Sequence, residues 1–334
     1  MKKLLKVLGI LILVLLFIYF LGPKASIPQL TPDLPLITDN LSEINTNILE
    51  ENKNELIREG NHSRIIWVDS IAKKTEYAVI YLHGFSASPV ENEELYTNFS
   101  KRYTTNLYAP RLFEHGLRTE NPLLNFTAEG YINSAKKALA IGKKIGDKVI
   151  LLCTSTGATA GLYLAAHHPE IAGLIFVSPN VDVYDTNSNL ITKPWGKQIL
   201  RTVMGGDFQV WYPPNDADKY WYGKYRIEAI IELKAMIETT MKKETFKKIN
   251  QPLFIGYYYK NEKEQDKTVS VKRMLDMFEQ TSTPTNKKIK VAFPEAKNHS
   301  IASRFFYKDY LKVQDAIFDF ADTVLELKPI TENE

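Results

Sequence analysis

Ser155 stands at the junction between a predicted strand and a predicted helix. The run at 149–153 is short and aliphatic, as in a buried strand, and the small residues at 158–166 predict a helix. A serine in such a turn forms a nucleophile elbow, because the turn exposes its hydroxyl and small neighbours let strand and helix approach closely. The usual pattern is G-x-S-x-G, and Cys153 replaces its first glycine. Serine is also common as a plain helix cap, so this interpretation requires partners elsewhere in the chain.

A serine hydroxyl attacks a carbonyl at neutral pH only when a base within hydrogen-bond reach takes its proton. His299 follows the last predicted strand, at 289–293. The other histidines that follow Ser155 are His167 and His168, and both lie in the helix that begins at the elbow. His299 is therefore the predicted base.

The base needs an acid to hold it in one tautomer. The loop after the predicted strand at 252–259 contains three acidic residues that could serve. Glu262 and Glu264 lie in a run of lysines, which is typical of solvated charge. Asp266 precedes a short β-branched segment that leads into a predicted helix and would fix its carboxylate. We expect Asp266 to be the acid, with the two glutamates as alternatives. Each residue of the resulting Ser, Asp, His order follows a strand of one sheet.

The second predicted strand runs directly into the sequence HGFSASP at 83–89. A loop in this position supplies a backbone N–H to an oxyanion, and here we expect the N–H of Phe85. Gly84 would let the backbone bend close to the reacting carbonyl. We interpret His83 as a structural residue bonded to backbone. His115 precedes the serine among loop residues, so we expect it in a loop or at a pocket rim.

Apolar segments alternate with helical patterns along most of the chain. The predicted strands are 64–69, 77–82, 106–110, 149–153, 171–178, 252–259 and 289–293, with a turn at 72–75 joining the first two. The predicted helices are 92–103, 128–146, 158–166, 226–243, 270–278 and 309–327. Such alternation predicts an α/β fold, with a mostly parallel central sheet covered by helices on both faces.

Residues 183–224 break this alternation. They are crowded with aromatic residues, namely Tyr184, Trp195, Trp211, Tyr212, Tyr220, Trp221 and Tyr222. We expect an inserted lid over the carboxyl edge of the sheet, where α/β proteins bind ligands. The plainer alternative is that most of these aromatics only anchor the segment to the body. The predicted core then consists of residues 61–182 and 225–330.

Residues 1–24 contain an uncharged apolar stretch that follows several lysines. Its length is near the roughly 17–25 residues that a membrane helix needs. A signal peptide should end in small residues, whereas Phe20 or Pro23 occupies the minus-three position of the two candidate cleavage sites. We therefore expect an uncleaved anchor with the body on the extracytoplasmic side; secretion after cleavage is the alternative. Residues 25–60 are expected to form a spacer and N-terminal extension.

Composition and motif content exclude other classes of protein. The 334-residue chain has a net charge of +3, but its first 24 residues hold four lysines and no acid, which leaves −1 for the rest. The basic pI is therefore no sign of nucleic-acid binding. A single cysteine excludes an intrachain disulfide. We find no spacing typical of metal ligands and no Gly-rich phosphate loop, so we expect neither metal nor cofactor.

Taken together, these residues resemble the α/β-hydrolase superfamily, in the branch of carboxylesterases, monoacylglycerol lipases and serine aminopeptidase-like hydrolases. The resemblance covers about residues 64–327. It rests on HGFSASP at 83–89, CTSTG at 153–157, Asp266 before a valine-containing helix start, and NHS at 298–300.

The resemblance implies an α/β-hydrolase fold with an inserted helical lid. It implies Ser155 as nucleophile, His299 as base and Asp266 as acid. It also implies the backbone N–H groups of Phe85 and Thr156 as an oxyanion hole. The chain departs from the family pattern in the loop before Asp266, which is several residues longer than usual. A serine rather than an aspartate at the elbow argues against dehalogenase and epoxide-hydrolase relatives.

The sequence thus predicts a membrane-anchored serine hydrolase that cleaves a carboxylic ester through an acyl-enzyme. The aromatic segment and the anchor favour a small-molecule or lipid-like ester with an apolar acyl group. The same triad would serve an amidase, peptidase, thioesterase or acyltransferase, because the chemistry up to the acyl-enzyme is shared. A binding protein that keeps the fold without turnover is the alternative from another class.

Overall fold

A seven-stranded sheet forms the centre of the protein. The computed structural model describes residues 2–69 and 72–330. Seven strands form the central sheet: β1 Arg64–Ile66, β2 Thr75–Leu82, β3 Asn106–Ala109, β4 Gly146–Thr154, β5 Gly173–Val177, β8 Leu253–Tyr257 and β9 Lys288–Ala292. Two more, β6 Phe208–Val210 and β7 Lys224–Arg226, form a separate antiparallel ribbon. The central order is β1-β3-β2-β4-β5-β8-β9, and every neighbouring pair is parallel except β1 with β3.

Ten α-helices surround or flank this sheet in the described residues. Their bounds are α1 Lys2–Phe20, α2 Leu41–Glu51, α3 Glu93–Tyr103, α4 Ala128–Ile145, α5 Thr156–His167, α6 Gly196–Val203, α7 Ile227–Thr240, α8 Lys243–Phe246, α9 Val271–Gln280 and α10 Leu311–Thr323. Short 3-10 helices lie at Pro89–Asn92, Thr186–Leu190, Asn215–Lys219 and Thr285–Lys287.

The alternation of side chains along the strands divides the core into two layers. On β2, Ile80 and Leu82 pack in a cluster with residues of α4, α5, α7 and α9. The intervening Val79 and Tyr81 pack on the other face with residues of α3 and α10. All four side chains are fully buried, as expected for a strand covered on both faces. The predicted fold class, a mostly parallel sheet between two layers of helices, is therefore confirmed.

The first two predicted strands, which the chain connects directly, are not neighbours in the sheet. β1 is antiparallel to β3, with pairs such as Ile65 opposite Tyr108, so β3 separates β1 from β2. The strand is also shorter than the predicted segment 64–69. Apolar patterning identifies a buried strand, but it does not determine which strand lies beside it.

The aromatic segment at 183–224 is built from short elements that include α6 and the ribbon of β6 and β7. Several of its aromatics attach it to the body. Trp221 packs edge-on against Phe305 and Phe306, with ring centroids 5.7 and 5.1 Å apart. The N–H of Tyr222 donates to the carbonyl of Ser86 at 2.8 Å, which joins the segment to the loop after β2.

Helix α1 has no residue buried against the rest of the protein. Among the described residues it is the one helix that is long and apolar enough to cross a membrane, by length and composition.

All the predicted site residues lie just after strands of the central sheet. The loops after β2, β8 and β9 carry Phe85, Asp266 and His299, and β4 is followed by Ser155 and then by Thr156, the first residue of α5. Because these four strands are parallel, their carboxyl ends lie at one edge of the sheet.

Candidate active site

Ser155 occupies a strained turn between β4 and α5. Its backbone has φ 52° and ψ −117°, a conformation that residues with a side chain rarely adopt. The turn is held by the N–H of Ser155, which donates to the carbonyl of Val177 at 2.9 Å. A Cβ at Gly157 would overlap the carbonyl oxygen of Leu82, so glycine is needed for the helix to approach β2 this closely.

Cys153, at the first glycine position of the usual pattern, is fully buried. Its sulfur lies 3.0 Å from the place where a Cβ on Gly161 would stand, so a glycine in α5 provides room for the thiol. Burial raises the pKa of the Cys153 thiol well above its usual value, which keeps the sulfur protonated. The thiol therefore acts as a packing group under the elbow.

The structure brings together the three residues predicted to act on one another. His299 Nε2 lies 2.9 Å from Ser155 Oγ, and His299 Nδ1 lies 2.6 Å from Asp266 Oδ2. With a proton on Nδ1, the imidazole donates to the carboxylate and leaves Nε2 free to accept from the serine hydroxyl. This is the hydrogen-bonded order that a serine nucleophile, its base and an orienting acid require.

Asp266 is fixed by backbone donors on the side away from His299. Its Oδ1 accepts the N–H groups of Thr268 at 2.8 Å and Val269 at 3.1 Å, and the residue is 1% exposed. These two donors and the imidazole together hold the side chain of Asp266 in one orientation.

The long loop before Asp266 does not displace the acid. An antiparallel β-bridge between Tyr259 and Gln265 closes the extra residues into a small local loop. The N–H of Asp266 then donates to the carbonyl of Tyr258 at 3.2 Å. The chain thus returns to the end of β8 before Asp266, where a shorter loop would place the same residue.

The two alternative acids lie in this local loop, between Tyr259 and Gln265. Glu262 and Glu264 are exposed, and neither contacts His299. The carboxylate of Glu262 accepts from the hydroxyl of Tyr259 at 3.1 Å, and that of Glu264 accepts from Lys260 at 3.1 Å. Their geometry is that of surface charge.

The base combines burial with two nearby carboxyl groups. Burial alone would lower the pKa of His299, but the charge and hydrogen bond of Asp266 and the charge of Glu91 raise that pKa above the usual value. The two carboxyl groups therefore favour the protonated form of the His299 imidazole in this site.

The loop after β2 presents one free amide between two engaged ones. The N–H of Gly84 donates to Glu91 Oε2 at 2.7 Å, and the N–H of Ser86 donates to His115 Nε2 at 3.0 Å. Among the described residues, no acceptor lies within hydrogen-bond reach of the Phe85 N–H that stands between them. The Thr156 N–H, at the first turn of α5, is likewise without a protein acceptor in the part of the chain that the structure describes. Both residues line the same cavity as Ser155.

His83 and His115 serve this loop as backbone partners. His83 is bonded to the carbonyl of Gly84 through Nδ1 at 2.9 Å and accepts the N–H of Leu112 through Nε2 at 3.0 Å, as the structural interpretation predicts. His115 lies in a loop, as expected, and it is fully buried rather than at a pocket rim. Burial lowers the pKa of His115 to about 4, which keeps its Nε2 an acceptor at neutral pH.

Two residues that lie at the site were not predicted from the sequence. Glu91 contributes a buried carboxyl group to the cavity, and the hydroxyl of Ser178 donates to the carbonyl of His299 at 2.6 Å. The available signal for Glu91 was an acidic residue directly after the small and apolar sequence SASPV. Ser178 ends an apolar strand and has no distinguishing pattern.

A cavity of about 870 Å³ opens over Ser155 and His299. Most of its wall away from the serine is apolar and comes from residues 190–233, including Leu190, Ile191, Leu200, Ile230 and Leu233. Within residues 2–69 and 72–330, no group of three or more His, Cys, Asp or Glu side chains could hold a metal ion. The cavity therefore combines a polar end at the serine with an apolar arm.

One relative was found by sequence, and no family model matches the chain. The thermostable monoacylglycerol lipase of Bacillus sp. (strain H-257) is 30% identical over 113 residues. The match covers 34% of this chain and 44% of that lipase, so it spans less than half of the relative's length.

Solved structures match over most of the chain. A metagenome-derived lipolytic enzyme superposes with a TM-score of 0.63 at 15% identity, covering 79% of this chain and 98% of that one. The monoacylglycerol lipase of Paleococcus ferrophilus gives 0.56 at 14% identity, with 78% and 98% covered. An esterase of Pyrococcus furiosus gives 0.50 at 14% identity, with 91% and 97% covered. At such identities the likeness shows the fold alone, and that fold is the α/β-hydrolase fold.

Proposed function

We propose that this α/β-hydrolase-fold chain is a serine hydrolase that cleaves carboxylic esters through an acyl-enzyme. The observation that carries the proposal is the chain of two hydrogen bonds from Ser155 through His299 to the buried Asp266. Ester or lipid cleavage is also what the names of the three solved enzymes and the Bacillus relative describe.

The reaction follows from this geometry. Ser155 Oγ attacks the ester carbonyl while His299 Nε2 takes its proton, and Asp266 holds the imidazolium in place. The imidazolium then gives the proton to the alcohol oxygen as the carbon–oxygen bond breaks, which leaves an acyl group on Ser155. Water, activated by His299, attacks that acyl group, the carboxylic acid leaves, and the serine regains its proton.

The oxyanion would be held by the N–H groups of Phe85 and Thr156. Both are free of protein acceptors among the described residues, and both line the cavity beside Ser155. The carbonyl of Gly84, in the same peptide as the Phe85 N–H, is bound by His83, which fixes the direction of that N–H before substrate arrives. Donors oriented in advance in this way are a major source of rate enhancement.

The apolar arm of the cavity supports an apolar acyl group as the preferred substrate. Residues 183–224 would act as the lid, because Leu190, Ile191 and Leu200 from this segment line the cavity together with residues of α7. An ester with a long acyl chain would bury that chain in the arm, while its carbonyl lies at the serine.

Helix α1 is proposed to anchor the enzyme in a membrane, with the catalytic domain on the extracytoplasmic side. The C-terminal end of α1 is hydrogen-bonded to the lid segment. The backbone N–H of Trp195 donates to the carbonyl of Pro23 at 2.8 Å, and its indole N–H donates to that of Ile18 at 3.1 Å. Tryptophan is enriched at the membrane interface, so this junction would place the lid and the cavity beside the bilayer.

Hydrolysis of p-nitrophenyl esters of increasing chain length tests the proposed activity. We expect the wild-type protein to release p-nitrophenol, with higher kcat/KM for butyrate and longer chains than for acetate. Ser155→Ala should abolish release without changing thermal unfolding greatly. A folded wild-type protein that cleaves none of these esters would contradict the proposal, and turnover that survives in Ser155→Ala would contradict the assigned nucleophile.

A further inference from the structure

A second carboxyl group lies in the floor of the cavity and has no part in the triad. Glu91, in the 3-10 helix Pro89–Asn92, is 4% exposed and lines the cavity together with Ser155 and His299. Among the described residues, no lysine or arginine forms an ion pair with Glu91; Arg304, which lines a small pocket beside it, pairs with Glu94 instead. A buried carboxyl group without a cationic partner is costly to keep, and such groups gather at functional sites.

The contacts of Glu91 connect the two halves of the site. Its Oε2 accepts the N–H of Gly84 at 2.7 Å and the hydroxyl of Tyr81 at 2.9 Å. A Cβ built on Gly84 would stand 3.0 Å from Glu91 Oε1 and 3.2 Å from the Cβ of Ser155. Gly84 is therefore packed between this carboxyl group and the elbow, and the residue after it carries the free N–H of Phe85.

The charge of Glu91 also reaches the base. The charged groups that face His299 are Asp266, in the loop after β8, and Glu91, from the loop after β2. The groups that face Glu91 are Tyr81 on β2 and His299 itself. Both side chains line the same cavity, and a negative charge there favours the protonated imidazole, in the same sense as Asp266 does.

Two opposing effects act on the carboxyl group of Glu91. Burial raises its pKa, whereas the Gly84 N–H, the Tyr81 hydroxyl and the charge of His299 lower it. Glu91 influences the base electrostatically only where it is ionised, so its effect is measurable as a change in the pH dependence of the reaction.

We propose that Glu91 is a positioning residue for ester hydrolysis, which holds the backbone leading to the Phe85 N–H and supplies a second negative charge to the His299 imidazolium. The proposal rests on the proposed serine-hydrolase function. It assigns two separable roles to one side chain, a hydrogen-bond acceptor and a charge.

Glu91→Gln separates the two roles, because it keeps an oxygen that accepts from Gly84 and Tyr81 but removes the charge. The measurements are the second-order rate at which a fluorophosphonate probe labels Ser155, and kcat/KM for p-nitrophenyl butyrate, both as functions of pH. We expect the acid limb of both profiles to move to lower pH. The reason is that only neutral imidazole acts as the base, and His299 holds its proton less tightly once the neighbouring charge is removed.

Glu93→Gln is the matched control for charge. Glu93 is two residues further along the chain and pairs with Arg64 at 3.2 Å, and it does not line the cavity. This variant should keep the wild-type acid limb. An acid limb of Glu91→Gln that coincides with that of wild type would overturn the charge role.

Glu91→Leu removes the acceptor as well as the charge. We expect kcat for p-nitrophenyl butyrate to fall by about 10²–10³, the usual cost of losing one oxyanion donor, with KM little changed. Glu91→Gln should retain most of kcat at its own pH optimum, whereas a packing role alone would leave kcat similar in the two variants, because leucine is close to glutamine in volume. A Glu91→Gln variant as impaired in kcat as Glu91→Leu would overturn the positioning role. A wild-type protein that cleaves no ester would instead refute the proposed function.

Discussion

At the scale of single residues, the site depends on how firmly one imidazole is held. His299 is bonded to Ser155 on one side and to Asp266 on the other, and its own carbonyl accepts from Ser178. Asp266 is in turn fixed by two backbone N–H groups. The imidazole therefore has one tautomer and one orientation available for proton transfer.

Asp266→Asn should remove this control with little change in shape. An amide in place of the carboxylate favours the wrong imidazole tautomer, so we expect kcat for p-nitrophenyl butyrate to fall by about 10³–10⁴. Glu264→Gln is the matched control, since it makes the same type of change in the exposed part of the same loop. Near-normal kcat in Asp266→Asn, or a comparable loss in Glu264→Gln, would show that the acid is misassigned.

The pH dependence of catalysis should reflect the raised pKa of His299. The neutral imidazole is the base, and Asp266 and Glu91 together raise its pKa above the ordinary value of 6.5 in spite of burial. Activity should therefore be lost as pH falls, with the midpoint of the acid limb of kcat/KM above pH 6.5. An acid limb of kcat/KM centred well below pH 6.5 in a folded wild-type protein would contradict a raised pKa of His299.

The residues of the triad could be predicted because each one follows a strand of a parallel sheet in a fixed order. That order brings Ser155, Asp266 and His299 to one edge without any knowledge of their distances. Glu91 could not be predicted in this way, because its place depends on a hydrogen bond back to Gly84. The burial of His115 could not be predicted either, since burial of a loop histidine depends on contacts that are distant in sequence.

At the scale of elements, the apolar arm of the cavity lies between the segment 183–224 and helix α7. Leu233 of α7 lines this arm. The lid assignment itself remains a prediction, and it has a direct consequence for selectivity. An arm that receives acyl chains should lose long substrates first when it is filled.

Leu233→Trp should fill part of the arm. We expect kcat/KM for p-nitrophenyl decanoate to fall by about tenfold or more, with the acetate ester affected within about twofold, because an acetyl group ends before the arm. Leu311→Trp, on the 48% exposed side chain of α10, is the matched control. Equal losses for acetate and decanoate would argue that the arm does not hold the acyl chain.

The central strands and most helices could be predicted from apolar periodicity, because both faces of the sheet are buried and leave continuous apolar runs. The position of β1 beside β3 could not be predicted, because a three-residue edge strand has no sequence pattern that selects its partner strand. The closure of the loop before Asp266 by the Tyr259–Gln265 bridge could not be predicted from the sequence either. Both features depend on backbone pairing rather than on side-chain pattern.

At the scale of the whole molecule, the proposed anchor and the catalytic body meet at one junction. Helix α1 ends at Phe20, and the chain then bonds to the lid segment at Trp195 and Thr192. If the helix spans a membrane, the cavity is held near the lipid surface throughout the catalytic cycle. The anchor is thus linked to the preference for apolar substrates.

We expect the full-length protein to sediment with membranes, to resist extraction by high salt and to be released by detergent. A tag at the C-terminus should be digested by protease added to intact spheroplasts, because the proposed orientation places the body on the extracytoplasmic side. A cytoplasmic protein of the same cells is the control for intactness. Recovery of the tagged protein in the medium would indicate cleavage and secretion, and protection from protease would contradict the proposed orientation.

The most direct measurement of the central claim is covalent labelling of the purified protein with a fluorophosphonate probe, followed by identification of the modified residue. Labelling should occur at Ser155, should disappear in Ser155→Ala, and should be strongly reduced in His299→Ala. Ser188→Ala, which removes another hydroxyl of the same cavity, should label like wild type. Absence of labelling in a folded wild-type protein, or labelling that persists in Ser155→Ala, would contradict the account.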